Sequence, residues 1–324
     1  MRIGIIGAGA VGGFMAGHLA RAGNEVAVLA RGANLTALRT DGVTVLSQGQ
    51  RWTASVTASD SAAELGPVDL AIVTAKGPSW PVLSEAMAPM LGPDTTVVCA
   101  MNGIPWWYEY GRVGGTGKPL DRVDPGGVVW KAIGPERALG CVIDCPSIVE
   151  APGVIRHNAD RPGSFILGEP SGPATDRVRA VASVLEAAAM GAPISDDIRV
   201  AIWAKLLVNL SRSPLGVLTG GTERGLAANP DTLAVTLAMM REGQAVAVTH
   251  GLDVPVDWPA NSDPNRRSDH KSSMLQDWEL GRPMEIDGIV RVVQDFARDG
   301  GVETPTIDTV AALLVEKARM AGTY

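Results

Sequence analysis

Three glycines near the start of the chain are the first residues whose spacing suggests chemistry. Gly7, Gly9 and Gly12 have the G-x-G-x-x-G spacing and directly follow the apolar residues 2–6. In a strand-to-helix turn, these glycines permit the tight turn, the approach of a pyrophosphate, and the packing of helix on strand. The residues expected to bind the dinucleotide are Gly7, Gly9, Ala10, Val11 and Gly12. A glycine-rich turn without a ligand is the alternative.

Arg31 stands at the end of the second predicted strand, where the choice of cofactor is decided. An acidic side chain there would bind the ribose 2′-hydroxyl of NAD, but no Asp or Glu occurs between Val26 and Arg39. A guanidinium suits bidentate contact with the 2′-phosphate of NADP. The sequence therefore favours NADPH, and a solvated arginine at a strand end is the alternative.

A lysine interrupts an apolar stretch in the second half of the chain. Lys205, Asn209 and Ser213 follow one another at intervals of four residues. On a continuous helix they would share one face, drifting by about 40° per step. One charged and two polar groups on this stripe favour a cleft lining, whereas Lys205 alone could be a surface lysine with a buried stem.

A carboxylate, Glu285, lies in a third polar cluster. Pro283 is a good first helical residue, so the spacing predicts that Glu285 occupies the first turn of a helix. A carboxylate there complements the helix dipole, and this capping role would by itself account for Glu285.

The elements that must position these residues alternate between strand and helix in the first half of the chain. Strands are predicted at residues 2–6, 25–30, 70–74, 96–100, 140–143, 148–150 and 164–167, and helices at 14–22 and 176–189. Residues 111–127 are glycine-rich and polar, which predicts a long loop or lid. From Ile198 onwards, helical periodicity replaces strand-like runs. The pattern predicts an α/β protein, with a Rossmann-type doubly wound sheet over residues 1–196 and an all-α domain over residues 197–324.

Composition excludes several classes of function. The 324 residues are 46% hydrophobic and carry a net charge of −7, which argues against a nucleic-acid partner. Three cysteines lack C-x-x-C spacing and four histidines lie far apart, so no metal site is expected. Glycines interrupt the apolar start, and no run approaches the roughly 20 apolar residues of a membrane span. We expect a cytoplasmic protein that binds neither nucleic acid nor a membrane.

Taken together, these motifs resemble the ketopantoate reductase family over nearly the whole chain. The matching segments are G-x-G-x-x-G, Arg31-Gly32, Lys76 after Val73-Thr74-Ala75, Met101-Asn102-Gly103, Trp203-x-Lys205-x-x-x-Asn209, Ser272–Asp277 and Glu285–Asp287. Each motif alone is weak, but their order and spacing are jointly specific. The resemblance implies reduction of a 2-oxo acid by NADPH, with 2-dehydropantoate in pantothenate biosynthesis as the best-known case, and is compatible with a homodimer.

The resemblance also implies roles for individual residues. Lys205 would be the general acid and Glu285 its acidic partner, because hydride delivered to a ketone carbon leaves charge on oxygen that a cationic donor neutralises and protonates. The residues expected to hold the substrate are Asn209, Ser213 and Ser273. The residues expected to line the cofactor side are Lys76 and Asn102.

Two departures from the family pattern bear on the substrate. Ser213 replaces the family's usual asparagine and follows an unexpected Arg212, and residues 104–108 open a segment longer than simple family members have. An NADPH reductase of another 2-oxo acid is therefore the main alternative. A dinucleotide-binding sensor without turnover is a second alternative, disfavoured because a sensor needs no proton donor such as Lys205.

Overall fold

A computed structural model describes all 324 residues, which divide into two compact units. The first unit comprises residues 1–101 and 105–198. The second comprises residues 102–104 and 199–324. None of the helices combines the length and apolar composition that a membrane-spanning segment needs.

All strands belong to the first unit. They are β1 (Arg2–Ile6), β2 (Glu25–Leu29), β3 (Val43–Ser47), β4 (Gln50–Ala54), β5 (Thr57–Ser59), β6 (Val68–Val73), β7 (Leu91–Ala100), β8 (Ala138–Asp144), β9 (Ser147–Ala151), β10 (Val154–His157) and β11 (Ser164–Gly168). Seven of them form a sheet of order β11-β8-β7-β6-β1-β2-β5, parallel except for β11. The other four form a small sheet of order β4-β3-β10-β9.

Six α-helices accompany these strands in the first unit. They are α1 (Ala10–Arg21), α2 (Gly32–Thr40), α3 (Ala62–Leu65), α4 (Trp80–Ala86), α5 (Val128–Ile133) and α6 (Asp176–Ala187). Short 3-10 turns occur at Gly77–Ser79, Ala88–Met90, Pro125–Gly127 and Pro135–Arg137.

The second unit is entirely helical, apart from its connections. Its helices are α7 (Ile198–Thr219), which starts on the last residue of the first unit, α8 (Glu223–Ala228), α9 (Pro230–Thr249), α10 (Trp258–Ser262), α11 (Ser273–Glu279), α12 (Val292–Gly300) and α13 (Pro305–Met320). A 3-10 turn occurs at Pro264–Arg266, and a π-helical turn at Asp287–Arg291 leads into α12. The predicted α/β sheet followed by a helical domain is confirmed.

Apolar strands create the core around which the first unit folds. Ile3 and Ile5 of β1 are fully buried, as is Ile72 of the neighbouring β6. Strands buried on both faces read as continuous apolar runs, and this is why β1 and β6 were recognisable in the sequence.

The small sheet packs directly on α1. A Cβ atom added at Gly13 would lie 2.6 Å from the Ile155 side chain, and one at Gly17 would lie 2.4 Å from that of Val45. Only glycine permits this approach of helix to sheet, so α1 is fixed by β3 and β10. Local patterns predict strands around residues 148–168 but not this sheet, because β3 and β10 pair across more than a hundred residues.

The predicted long loop at residues 111–127 is held at both ends. Glu109 accepts hydrogen bonds from Arg112 (2.9 Å) and from the Thr116 backbone (2.6 Å). At the far end, the fully buried Asp124 carboxylate accepts from the backbone N–H groups of Val129 and Trp130, each at 2.9 Å. The segment is therefore anchored at its ends and forms a series of turns between them.

Candidate active site

The glycine-rich turn after β1 has the geometry that its spacing predicts. Gly7 has φ +101°, which strongly favours glycine, and its carbonyl accepts a 2.7 Å hydrogen bond from the Thr74 hydroxyl. A Cβ atom at Gly12 would lie 2.0 Å from the Gly7 carbonyl oxygen, so nothing larger than glycine fits. A Cβ atom at Gly9 would meet nothing within 4 Å, so the backbone is open there.

The start of α1 has no group of the chain that would compete with an anion. Helix α1 begins at Ala10 after Gly9, has no side-chain cap and has no acidic residue in its first turn. The first N–H groups of a helix lack partners within it, so the N–H groups around Ala10 and Val11 remain available to phosphate oxygens. The Asn34 amide fixes the turn by donating to the Ala8 carbonyl at 2.9 Å. A dinucleotide pyrophosphate fits this cradle.

Arg31 lies at the same edge of the sheet as the glycine turn. It follows β2 closely, and the ends of β1 and β2 are adjacent because Ile6 pairs with Leu29. The Arg31 side chain is exposed and makes no hydrogen bond or ion pair with the chain. Its guanidinium is therefore free to bind a phosphate.

Lys76 also follows a strand that ends at this edge, whereas Asn102 belongs to the second unit. The β6 strand pairs with β1 up to Val73, and the exposed Lys76 comes three residues later. Asn102 follows β7, and its amide oxygen is buried without a hydrogen-bond partner. A buried orphan acceptor is costly to a protein, so Asn102 is suited to accept a hydrogen bond from a ligand.

The predicted polar stripe in the second unit lies on one continuous helix. Helix α7 includes Lys205, Asn209 and Ser213, so their four-residue spacing places them along one face. Lys205 and Asn209 are half-buried, whereas Ser213 is buried. The Lys205 ammonium makes no hydrogen bond or ion pair with the chain, although its neighbours Leu206 and Leu207 are buried in the core.

Ser273 opens helix α11 with its hydroxyl available. The cap of this helix is Ser272, whose hydroxyl accepts from the Leu275 N–H at 3.2 Å. Ser273 is the next residue and is exposed. A Cβ atom at Gly216 of α7 would lie 3.4 Å from the Ser272 hydroxyl, so α11 starts close to α7.

Glu285 lies just before a helix and not within its first turn. Helical structure begins at Ile286, three residues after Pro283, and the Glu285 carbonyl accepts from the Ile289 N–H at 3.2 Å. Lys205 and Glu285 are not joined by an ion pair, because no carboxylate lies within 4.0 Å of Lys205. Their cooperation therefore remains a prediction.

The turn after Glu285 contacts the segment that carries Asn102. The Ile104 N–H donates to the Gly288 carbonyl at 2.8 Å, and a Cβ atom at Gly103 would lie 2.4 Å from the same oxygen. This contact lies within the second unit and ties Asn102 to the segment of Glu285.

The surroundings of Arg212, a buried arginine next to Ser213, were not recognisable in the sequence. Arg212 is 5% exposed, donates to the Asn261 amide oxygen at 2.5 Å, and lies 3.9 Å from Glu223. Burial, and then the charge of Arg267, lower the pKa of Arg212 to about 10, against a raising effect of Glu223. Arg212 stands out in the sequence as a departure from the family pattern, but no local spacing links it to Asn261 or Arg267.

Comparison with known families places both halves of the chain in one group. The model described as "Ketopantoate reductase PanE/ApbA" matches residues 3–172. The model described as "Ketopantoate reductase PanE/ApbA C terminal" matches residues 197–318.

Individual relatives extend over the full chain. The protein is 42% identical to the 2-dehydropantoate 2-reductase of Mesorhizobium japonicum, covering all of both chains. A crystal structure assigned as a ketopantoate reductase from Ralstonia solanacearum MolK2 is 40% identical with TM-score 0.92, covering 100% of this chain and 99% of that one. A D-mandelate dehydrogenase in complex with NADH and anilino(oxo)acetate shares the fold, with 22% identity, TM-score 0.84 and full coverage of both chains.

Proposed function

Because this chain belongs to the ketopantoate reductase family, we propose that it reduces 2-dehydropantoate to pantoate with NADPH, in the cytoplasm, as a step of pantothenate biosynthesis. The observation that carries this proposal is Lys205, a half-buried residue of α7 whose ammonium makes no hydrogen bond or ion pair with the chain. An ammonium that no group of the chain engages can donate to a ketone oxygen that gains charge during reduction.

The cofactor is a nicotinamide dinucleotide, and we infer that it is NADPH. When bound, the dinucleotide supplies the hydride that reduces the ketone carbon. The glycine turn and the start of α1 would hold its pyrophosphate, and the unpaired Arg31 would hold the 2′-phosphate. Lys76 and Asn102 would line the cofactor side.

The second unit would bind the substrate and supply the proton. Lys205 would donate a hydrogen bond to the ketone oxygen and then protonate it, with Glu285 as its acidic partner. The residues that would hold the rest of the substrate are Asn209, Ser213 and Ser273. Their hydroxyl and amide groups can donate to a carboxylate and also accept from a hydroxyl.

Oxidation of NADPH by the purified protein tests this function. We expect rapid oxidation with 2-dehydropantoate and none without a 2-oxo acid. If only another 2-oxo acid supports turnover, the protein is a related reductase with a different substrate. If NADPH binds but no acid of a broad panel is reduced, the protein is a sensor and the proposal is wrong.

Ser213 makes a different 2-oxo acid the second candidate function. Serine offers one hydroxyl where the family's asparagine would offer an amide, and one lost hydrogen bond costs roughly 0.5 to 1.5 kcal/mol. The Ser213→Asn variant should then raise kcat/KM for 2-dehydropantoate by roughly 2- to 10-fold. Efficient reduction by the unmodified protein, with no gain in the variant, would remove this alternative.

We also propose that the protein is a homodimer. Light scattering after size-exclusion chromatography would then give twice the mass of one chain. A mass equal to one chain across the working concentration range would contradict the proposal.

A further inference from the structure

Asn34 of α2 bridges two turns that are far apart in the sequence. Its amide N–H donates to the Ala8 carbonyl of the glycine turn at 2.9 Å, across 26 residues of sequence. Its amide oxygen accepts from the Gly153 N–H, in the turn between β9 and β10, at 3.2 Å and across 119 residues. A single half-buried side chain therefore joins α2 to both turns.

The Gly153 turn holds the Asn34 amide in one orientation. The Gly153 carbonyl accepts from the Thr44 N–H of β3 at 2.8 Å, and the φ of +71° at Gly153 strongly favours glycine. A Cβ atom at Gly153 would lie 3.0 Å from the Ala37 side chain, so this turn packs closely on α2. A backbone N–H can only donate, so it requires the amide oxygen of Asn34 on its side. The amide NH2 group is therefore left facing the Ala8 carbonyl.

The bond to Ala8 fixes the peptide that joins Ala8 to Gly9. In a trans peptide the C=O and N–H groups point in opposite directions, so a carbonyl held toward Asn34 also sets the direction of the Gly9 N–H. The Gly9 N–H makes no hydrogen bond within the chain, so it is available to a phosphate oxygen. Rotation of this peptide would put a carbonyl oxygen in place of that donor.

The same side chain anchors the segment that carries Arg31. Residues 31–33 are exposed, and Asn34 is the first half-buried residue of α2. It follows Arg31 by three residues, which is less than one helical turn. The body of α2 is held separately, because Leu35 and Leu38 are buried in the core. Loss of the Asn34 bonds should therefore loosen the first turn of α2 without undocking the helix.

We propose that Asn34 is a positioning residue of the dinucleotide site. It holds the glycine turn and Arg31 in a fixed relative position, so that the pyrophosphate and the 2′-phosphate of one cofactor bind together. The inference rests on the proposed use of NADPH. Asn34 acts through the Ala8-Gly9 peptide and through Arg31, and the Gly153 turn supports the site by orienting the Asn34 amide.

A double-mutant cycle with Arg31, followed by calorimetric titration, tests this coupling. Asn34→Ala should weaken NADH binding by roughly 2- to 10-fold, the range of one neutral hydrogen bond, and NADPH binding by a larger factor because Arg31 is no longer held. Arg31→Ala should then cost less NADPH affinity in the Asn34→Ala background than in the unmodified protein. Asn24→Ala is the matched control, because the half-buried Asn24 amide also donates to a backbone carbonyl, that of Leu19 near the other end of α1, at 3.1 Å. It should leave the affinity for both cofactors unchanged.

Two results of this cycle would overturn the inference. Equal losses of NADH and NADPH affinity in Asn34→Ala, or no loss of either, would show that Asn34 does not position Arg31. An Arg31→Ala loss that is the same in both backgrounds would show that the two residues act independently.

A second variant tests the bond to Ala8 while an acceptor for Gly153 is kept. Asn34→Asp retains one oxygen toward the Gly153 N–H but places the other against the Ala8 carbonyl, so it should weaken NADH binding at least as much as Asn34→Ala does. Thr36→Asp adds the same charge at an exposed residue of α2 and should weaken NADH binding less. Normal NADH affinity in Asn34→Asp would show that this bond does not set the glycine turn, against the inference.

These titrations contain no 2-oxo acid, so their outcome is separate from the proposed reduction. Coupling between Arg31 and Asn34 in a protein that reduces no 2-oxo acid would support the inference and refute the proposed function. Independent effects of the two residues in a protein that reduces 2-dehydropantoate with NADPH would refute the inference and leave the proposed function standing.

Discussion

Arg31 is the residue on which we propose that discrimination between the two nicotinamide cofactors depends. Its side chain is exposed and unpaired at the end of β2, so removing it leaves no group of the chain without a partner. Arg31→Ala should weaken NADPH binding by roughly 10- to 100-fold, the range of a charge-assisted contact, and change NADH binding little. Calorimetric titration with each cofactor measures this. The exposed Arg51 of β4 offers a matched control, and an unchanged NADPH affinity in Arg31→Ala would exclude Arg31 from the site.

Lys205 should act in the chemical step rather than in cofactor binding. Lys205→Ala should lower kcat by on the order of a hundredfold or more, because a positioned proton donor contributes that much. Lys205→Met keeps the length of the apolar stem and should be equally inactive, whereas Lys118→Ala, at an exposed lysine of the first unit, should be fully active. Steady-state kinetics measures kcat, and titration with NADPH measures the affinity for the cofactor. A variant that unfolds, or one that loses NADPH affinity while kcat is retained, would mean that Lys205 is structural.

Residues whose positions depend on near neighbours in the chain were the ones that the sequence could place. The strand before Gly7 and the helix after Gly12 fix the turn, and a period of four residues fixes the stripe of Lys205 and Asn209. Arg267 had no such signal. Its partner Asn261 also contacts Arg212 on a distant helix, and contacts of that range are set by packing of the whole unit.

In the glycine turn between β1 and α1, substitution of two different glycines should affect two different properties. Gly9→Ala should weaken NADPH binding, whereas Gly12→Ala should lower the stability of the fold. Gly9→Ala adds a methyl group in open space, at a backbone conformation that any residue can adopt, so the melting temperature should hardly change. The methyl group would still obstruct the pyrophosphate and should weaken NADPH binding by roughly tenfold or more.

Gly12→Ala should instead damage the turn itself. Its Cβ atom would lie 2.0 Å from the Gly7 carbonyl oxygen, and overpacking of this kind costs about 1 to 3 kcal/mol or more. Thermal denaturation and NADPH titration of both variants check the contrast. A Gly9→Ala variant that binds NADPH normally would show that the pyrophosphate does not approach this glycine.

Among the secondary-structure elements, the sequence predicted that a helix occurs more reliably than it predicted the residue at which the helix starts. Pro283 is a good first helical residue, yet helical structure begins at Ile286. Residues 287–291 wind as a π-helical turn, and Gly288 in that turn packs against Gly103 from a distant part of the chain. A local signal such as proline cannot report a start that is set by a distant contact.

The first unit as a whole should lose stability in mild acid because of two buried histidines. His18 donates to the Ala188 carbonyl at 2.9 Å and His157 lies 3.0 Å from the Ser47 hydroxyl, while the Nε2 atom of each is buried without a partner. Burial lowers the pKa of both. For His18 the bond to Ala188 opposes this, and the charges of His157 and Arg21 add to it. For His157 the charge of Arg161 adds to it, and that of Asp144 partly opposes it.

The direction of the pH effect follows from proton uptake. Below about pH 6.5 the histidines of the unfolded chain bind more protons than those of the folded protein, so the free energy of unfolding falls as pH falls. Above that range the two histidines contribute no pH dependence. Urea denaturation at pH 7.5 and 5.5 measures the difference, and His18→Gln or His157→Gln should each reduce it. His270→Gln, outside this cluster, is the control, and a difference that persists in the double variant would exclude these histidines as its source.

The packing of α1 has a consequence for how the protein is made on the ribosome. Helix α1, at whose start we propose the dinucleotide site, is complete by Arg21, but its glycine face packs on Ile155 and its His18 bonds to Ala188. At about 5 to 20 residues per second, the ribosome delivers these partners roughly 7 to 33 seconds after the helix itself. During that interval the nascent helix has an uncovered apolar face. Stalled chains that end before residue 188 should therefore bind chaperones. Chains long enough to expose residue 188 outside the ribosome should instead be retained on an NADPH affinity resin.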